Sequence, residues 1–223
     1  MSEYLIINIL IIIVPLSLSF EKNLKFYKKV KSVLKSILIV SSAFIIWDVI
    51  ATERGDWAFN PDYLIGVKFF GLPIEEILFF ITVPYACIFI FETVKFYIED
   101  KTLNVNENIL LFISFIIVFI SVLNYERDYT FTVSLFTAAS ILLLKFLGKD
   151  LFVSKNFWLT LIISYIPFLI VNYFLTSIPI VTYNSLSFSD VRFITIPVED
   201  FFYSFSMISM WILFYNLFET KNG

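Results

Sequence analysis

Apolar and charged positions in this chain are segregated on the scale of whole membrane crossings, far longer than the alternation of strands or the turns of a surface helix. Uncharged runs lie near residues 4–20, 77–91, 108–125, 129–144 and 201–218, the length range set by a hydrocarbon core about 30 Å thick. Residues 36–52 form a similar run interrupted by Asp48, and residues 156–189 hold one further run and a polar loop. The pattern predicts an all-α integral membrane bundle of seven transmembrane helices. The first run reads as a span and not as a cleaved leader, because no basic residue precedes it and a Lys-rich stretch follows it.

Between these runs one short pattern occurs twice. Pro73-Ile74-Glu75-Glu76 and Pro197-Val198-Glu199-Asp200 stand 124 residues apart, each opening an uncharged, aromatic-rich run. At the same offset Asn60 falls on Asn184, Val67 on Val191, Lys68 on Arg192, Phe69 on Phe193, Asp48 on Asn172 and Thr52 on Thr176. This is the signature of an internal duplication.

Basic residues set the expected orientation, since Lys and Arg are retained in cytoplasmic loops. Lys22, Lys25, Lys28, Lys29, Lys31, Lys35, Lys95, Lys101, Lys145, Lys149, Lys155 and Lys221 fall on one side of a seven-span path, and Arg54, Lys68, Arg127 and Arg192 on the other. The amino terminus is therefore expected outside and the carboxyl terminus inside the cell membrane. A three-span unit joined directly to its copy would be inverted, and the fourth span restores the direction. Residues 1–107 and 126–223 then read as parallel three-helix repeats, with 108–125 as a linker helix.

Composition sharpens the picture. Hydrophobic residues make up 59% of the chain, with 28 Phe and 12 Tyr and a mean hydropathy of +0.87, too apolar for an ordinary soluble domain. There is no His, which removes imidazole metal sites and leaves proton chemistry to carboxyls, Lys, Tyr or water. Five Gly and no Gly-rich fingerprint argue against a nucleotide cofactor. The seventh run carries no Lys, so the Schiff-base residue of a retinal protein is missing. Basic residues at the edges of spans favour contact with lipid headgroups, not nucleic acid. The single Cys87 reads as a packing residue. No cofactor and no metal is expected.

The doubled acids have two readings. Pro followed by carboxylates is a favourable helix start; acids beside apolar sequence are also suited to proton transfer. Lys68 and Arg192, seven positions upstream, could hold one carboxyl of each pair in its ionised form. Phe79, Phe80, Tyr203 and Phe205 supply ring faces that stabilise a cation. Asp48 and its counterpart Asn172 place polar groups within apolar spans, as helix contacts or as site lining.

At these residues the chain resembles the membrane-embedded lycopene cyclases, which occur in bacteria and archaea as a fused chain or a pair of subunits, and in fungi within a bifunctional protein. The resemblance rests on Gly71-Leu72-Pro73-Ile74-Glu75-Glu76 with Leu78-Phe79-Phe80 and Pro84, and on Ile196-Pro197-Val198-Glu199-Asp200 with Tyr203-Ser204-Phe205, joined by Val171-Asn172-Tyr173 and Val181-Thr182-Tyr183. It implies a redox-neutral intramolecular lyase or isomerase that closes the linear ends of lycopene into β-ionone rings without a cofactor. An acid protonates the terminal double bond, an internal double bond attacks the cation, and a ring proton is lost. Glu75, Glu76, Glu199 and Asp200 become the proton-handling set. Phe79, Phe80, Tyr203, Phe205, Asp48 and Asn172 become the substrate lining, and Pro73, Pro197, Lys68 and Arg192 shape the site. The implied partners are lycopene within the bilayer, membrane lipids and other enzymes of carotenoid biosynthesis. The acids alone leave open a C50 or ε-ring cyclase, a carotenoid-binding protein or a proton pathway.

Overall fold

A computed structural model describes residues 2–106 and 108–220; Lys221, counted above among the cytoplasmic basic residues, lies outside them. The described chain is built from helices: α1 (Glu3–Leu18), α2 (Val30–Arg54), α3 (Ile74–Tyr97), α4 (Asn108–Leu123), α5 (Asp128–Leu147), the single turn α6 (Lys149–Phe152), α7 (Lys155–Ser177) and α8 (Val198–Thr220). Five of them, α2 with its preceding 3₁₀ turn, α3, α5, α7 and α8, are long and apolar enough to cross a membrane. Helices α1 and α4 are equally apolar but have 16 residues each, about 24 Å of helix at 1.5 Å per residue. They fall short of the hydrocarbon thickness, so five helices long enough to span stand against the seven expected.

Large apolar side chains cover the outside of the bundle; Phe112, Phe115 and Leu123 on α4 and Leu38 and Ile46 on α2 are all more than half exposed. A surface of this kind requires lipid, since water-exposed apolar patches of such extent are not tolerated on soluble proteins. This is a multi-pass membrane protein. Inside, α2 carries the central packing stripe Val33, Ile37, Val40, Phe44, Trp47 and Ala51, the three- and four-residue spacing of one helix face. Small hydroxyls tie the middle of the bundle: Ser36 donates to the Trp211 carbonyl at 2.7 Å, Trp211 Nε1 donates to Ser41 Oγ at 3.0 Å, and Ser41 donates to the Phe80 carbonyl at 2.8 Å.

Related helices make related contacts. Helix α1 packs on α3 and α5 on α8, while α2 lies on α8 and α7 on α3. The segments ahead of α3 and α8 contain structure that the hydropathy pattern does not reveal. Strands β2 (Lys68–Phe69) and β3 (Leu72–Pro73) form one hairpin, and β5 (Arg192–Phe193) and β6 (Ile196–Pro197) another. Each closes with a helix-start bond, from Ile74 N–H to the Val67 carbonyl and from Val198 N–H to the Val191 carbonyl, both 2.9 Å. Positive φ values at Phe70 (+50°) and Gly71 (+84°) turn the first hairpin; Gly adopts this region without the Cβ clash that other residues meet. The remaining strands, β1 (Trp57–Phe59) and β4 (Val181–Tyr183), pair antiparallel with Trp57 opposite Tyr183, Ala58 opposite Thr182 and Phe59 opposite Val181.

Candidate active site

Each hairpin delivers two consecutive carboxyls into the first turn of the helix behind it, where unpaired N–H groups and the helix dipole favour negative charge. Consecutive residues on a helix point about 100° apart, so the two acids of a pair meet different surroundings. The first acid closes the hairpin segment onto the neighbouring helix. Glu75 Oε1 accepts from Ser2 Oγ at 2.8 Å and from Ile65 N–H at 2.6 Å. In the other half Glu199 Oε1 accepts from Thr130 Oγ1 at 2.6 Å and from Ser189 N–H at 2.8 Å. Both carboxyls are buried, and neither is among the residues lining the cavity described below.

The second acid of each pair does. Glu76 and Asp200 face one cavity between the halves, joined there by Asp48 from α2. Its empty space, open mouth included, is about 960 Å³. Tyr4 donates its hydroxyl to Glu76 Oε2. Tyr129 donates to Asp200 Oδ1 at 2.5 Å and Tyr183 to Asp200 Oδ2 at 2.9 Å. Burial, with the Asp200 carboxyl beside it, pushes the Tyr183 hydroxyl well above the usual tyrosine range, so it remains a donor. Asp48 Oδ1 accepts from Trp57 Nε1 at 2.8 Å and from Thr52 Oγ1 at 3.4 Å.

Aromatic rings wall this set. Trp57 meets Tyr129 edge-on at 5.0 Å between centroids, Tyr129 stacks on Tyr183 at 5.9 Å, and Tyr203 lies 4.9 Å from Trp47. Apolar side chains including Phe79, Val83, Phe168, Leu175 and Ile208 complete the lining. The result is an apolar cavity with carboxyls and ring faces together, able to move protons and to stabilise positive charge.

Of the residues singled out from sequence, Asp48, Glu76, Phe79, Asn172, Asp200 and Tyr203 line this cavity. Phe80 instead packs in the bundle core at 1% exposure. Phe205 packs against the cluster of Leu110, Ile141 and Phe152. Pro73 and Pro197 end the hairpins immediately before α3 and α8 and are buried. Lys68 and Arg192 make no direct ion pair with the acids among the described residues. Both lie on exposed hairpin strands, and the ion pairs among the described residues join other groups. Arg192 donates to the Thr195 carbonyl at 2.8 Å and sits 4.8 Å over the Phe188 ring. The direct hydrogen bonds to the acids come from hydroxyls and backbone N–H groups.

Tyr4, Tyr129, Trp57, Ser2 and Thr130 were not legible as site residues. Tyr4 and Tyr129 stand 125 residues apart, close to the repeat offset, which is the one signal that could have selected them among 12 Tyr. At the far end of α3, buried Glu92 pairs with Lys29 and with Lys95. Its repeat counterpart is Asn216, so this ion pair belongs to one half alone. Among the described residues no group of three or more Cys, Asp or Glu is arranged to hold a metal ion.

The family model described as lycopene cyclase matches residues 2–94 and again residues 128–218. The two segments contain both hairpins, both acid pairs and the cavity lining, and leave out α4. The chain belongs to the lycopene cyclase family. No curated protein and no solved structure matches it. Membership suggests carotenoid cyclisation as the activity of the chain.

Proposed function

We propose that this lycopene cyclase family member is a lycopene β-cyclase, an intramolecular lyase or isomerase that closes the linear ends of lycopene into β-ionone rings, giving β-carotene by way of the monocyclic carotene. The observation that carries the reading is the meeting of Asp48, Glu76 and Asp200 in one aromatic, apolar cavity. A carboxylic acid of this set protonates the terminal double bond of an end group. The electron pair of an internal double bond then forms the ring C–C bond, and a carboxylate takes the ring proton that leaves. One proton enters and one departs, so neither oxidant nor reductant is needed. Tyr203, Trp57 and Phe79 line the path of the cation, where a desolvated ring face contributes up to about 2 kcal/mol.

The layout proposed with this function has seven spans in the cell membrane, amino terminus outside and carboxyl terminus inside. Helices α1–α3 and α5, α7 and α8 are parallel repeats, and α4 is the linker, with boundaries at 1–107, 108–125 and 126–223. The β1–β4 pair supports it. At the repeat offset Ala58 corresponds to Thr182, the residue opposite it, and the flanking pairs exchange with each other. An interface related to itself in this way is isologous, the product of a two-fold axis.

Expression of the full chain in cells that accumulate lycopene, followed by pigment analysis, tests the function. β-Carotene or its monocyclic precursor is the expected product. An ε-ring product would change the ring type, and unchanged lycopene with the protein present in the membrane would refute the proposal.

A further inference from the structure

The cavity is made by two related halves, yet its carboxyls number three, and the odd one is Asp48. The repeat position holds Asn172, which also lines the cavity and donates to the Phe168 carbonyl at 3.1 Å. The strand residues beside these positions differ in concert. Trp57, the donor to Asp48, corresponds to Val181, which has no side-chain donor; Tyr183, the second donor to Asp200, corresponds to Phe59. All four line the cavity.

These exchanges leave the carboxyls in different states of satisfaction. Asp200 has both oxygens occupied by tyrosine hydroxyls. Glu76 accepts from Tyr4 on Oε2, and the position from which a second tyrosine would reach it is Phe59. Asp48 is 2% exposed; Trp57 fixes its Oδ1, and its Oδ2 is buried without a partner among the described residues. A buried, unpaired carboxyl oxygen is costly, and the second half shows that an amide fits the same position. Asp48 and Glu76 line the same cavity.

We propose that Asp48 and Glu76 form the proton-exchanging pair of a single asymmetric site, while Asp200, held by Tyr129 and Tyr183, is a fixed carboxylate that faces the cation. The proposal rests on the cyclase reading. One member of the pair carries the proton, because like charges in a dry cavity repel. That proton passes to the terminal alkene carbon, the ring C–C bond forms, and the other member accepts the ring proton. Transfer between the two carboxyls restores the starting state. A second end group reacts in the same cavity after the carotene is turned round.

The test is Asp48→Asn in the full chain, expressed in lycopene-accumulating cells, with cyclised product measured per mole of membrane protein and copurifying lycopene measured in parallel. Asn keeps the oxygen that accepts from Trp57 and removes the exchangeable carboxyl. The expected result is a loss of product of about 100-fold or more, the scale of acid–base catalysis, with copurifying lycopene retained. Cyclisation within about fivefold of the unmodified chain would overturn the pair and leave the cyclase reading standing. An unmodified chain that makes no ring would remove both. Where Asp48→Asn fails to accumulate, Asp48→Glu decides: a displaced carboxyl lowers turnover by about 10-fold or more at unchanged lycopene retention, whereas a merely structural acceptor leaves turnover per mole within about twofold.

Discussion

Exchanging a carboxyl for its amide at the two consecutive positions Glu75 and Glu76 separates proton transfer from structural support. In Glu75→Gln the side-chain oxygen can still accept from Ser2 Oγ and Ile65 N–H, so two hydrogen bonds to a charged group become two neutral ones. Bonds to charged groups contribute about 1.5–3 kcal/mol and neutral ones about 0.5–1.5, so the exchange costs about 2 kcal/mol of stability over the two bonds. No cavity-lining group is changed, and turnover per folded molecule stays within about threefold by the proximity argument. Glu76→Gln keeps the bulk of the side chain and an oxygen for Tyr4 but removes a carboxyl from the cavity. A general acid or base contributes about 10²–10⁴ in rate, or about 2.7–5.4 kcal/mol at 1.36 kcal/mol per factor of ten. The assay is conversion of lycopene by detergent-purified protein, normalised to monomeric protein on size exclusion, with thermal unfolding read alongside. Glu75→Gln and Glu76→Gln losing activity equally, with both proteins folded, would refute the division of roles.

Other predictions follow from the same geometry. Trp57→Phe removes the Nε1 donor that fixes Asp48 Oδ1; thermal unfolding should show a loss of about 1.5–3 kcal/mol, the worth of a hydrogen bond to a charged group, and turnover should fall with it. Lys68→Gln lies on an exposed strand away from the cavity, and pigment analysis should find cyclisation within about twofold, as for surface substitutions generally. A reporter fused after Gly223 should read as cytoplasmic, and a signal from the opposite side would invert the proposed orientation.

Much of the architecture was legible because its causes are local. Long uncharged runs become helices, as lipid leaves the backbone no other way to satisfy its polar groups, and the doubled Pro-x-acid-acid pattern coincides with the starts of α3 and α8. Asp48, an acid within an apolar run, was visible as an anomaly and does line the cavity. The division of labour within each pair was hidden. Glu75 and Glu76 are neighbours in sequence, and which one turns inward depends on how α1 docks on α3, a contact between residues some 70 positions apart in the chain. The tyrosine donors were hidden for the same reason. Phe80 and Phe205 show the limit of aromatic content as a guide, since a ring near an acid in sequence can pack into the bundle core instead of the cavity.

Duplication explains what the halves share, and the cavity shows where they part. The parts that build the scaffold stayed alike: the hairpins, the helix-start bonds and the Glu75 and Glu199 latches recur with the same partners in kind. The positions that meet in the cavity diverged together, Asp48 with Trp57 in one half, Asn172 with Val181 in the other, and Phe59 against Tyr183 on the paired strands. Strand pairing brings these differences to one place, because β1 and β4 pair between the halves and their Trp57 and Tyr183 donate to Asp48 and Asp200. A symmetric cavity would present two equal carboxyls to the substrate, each satisfied in the same way, with no reason for one to give a proton and the other to keep its charge. Breaking the symmetry at three neighbouring positions supplies that reason while leaving the fold that the duplication created intact.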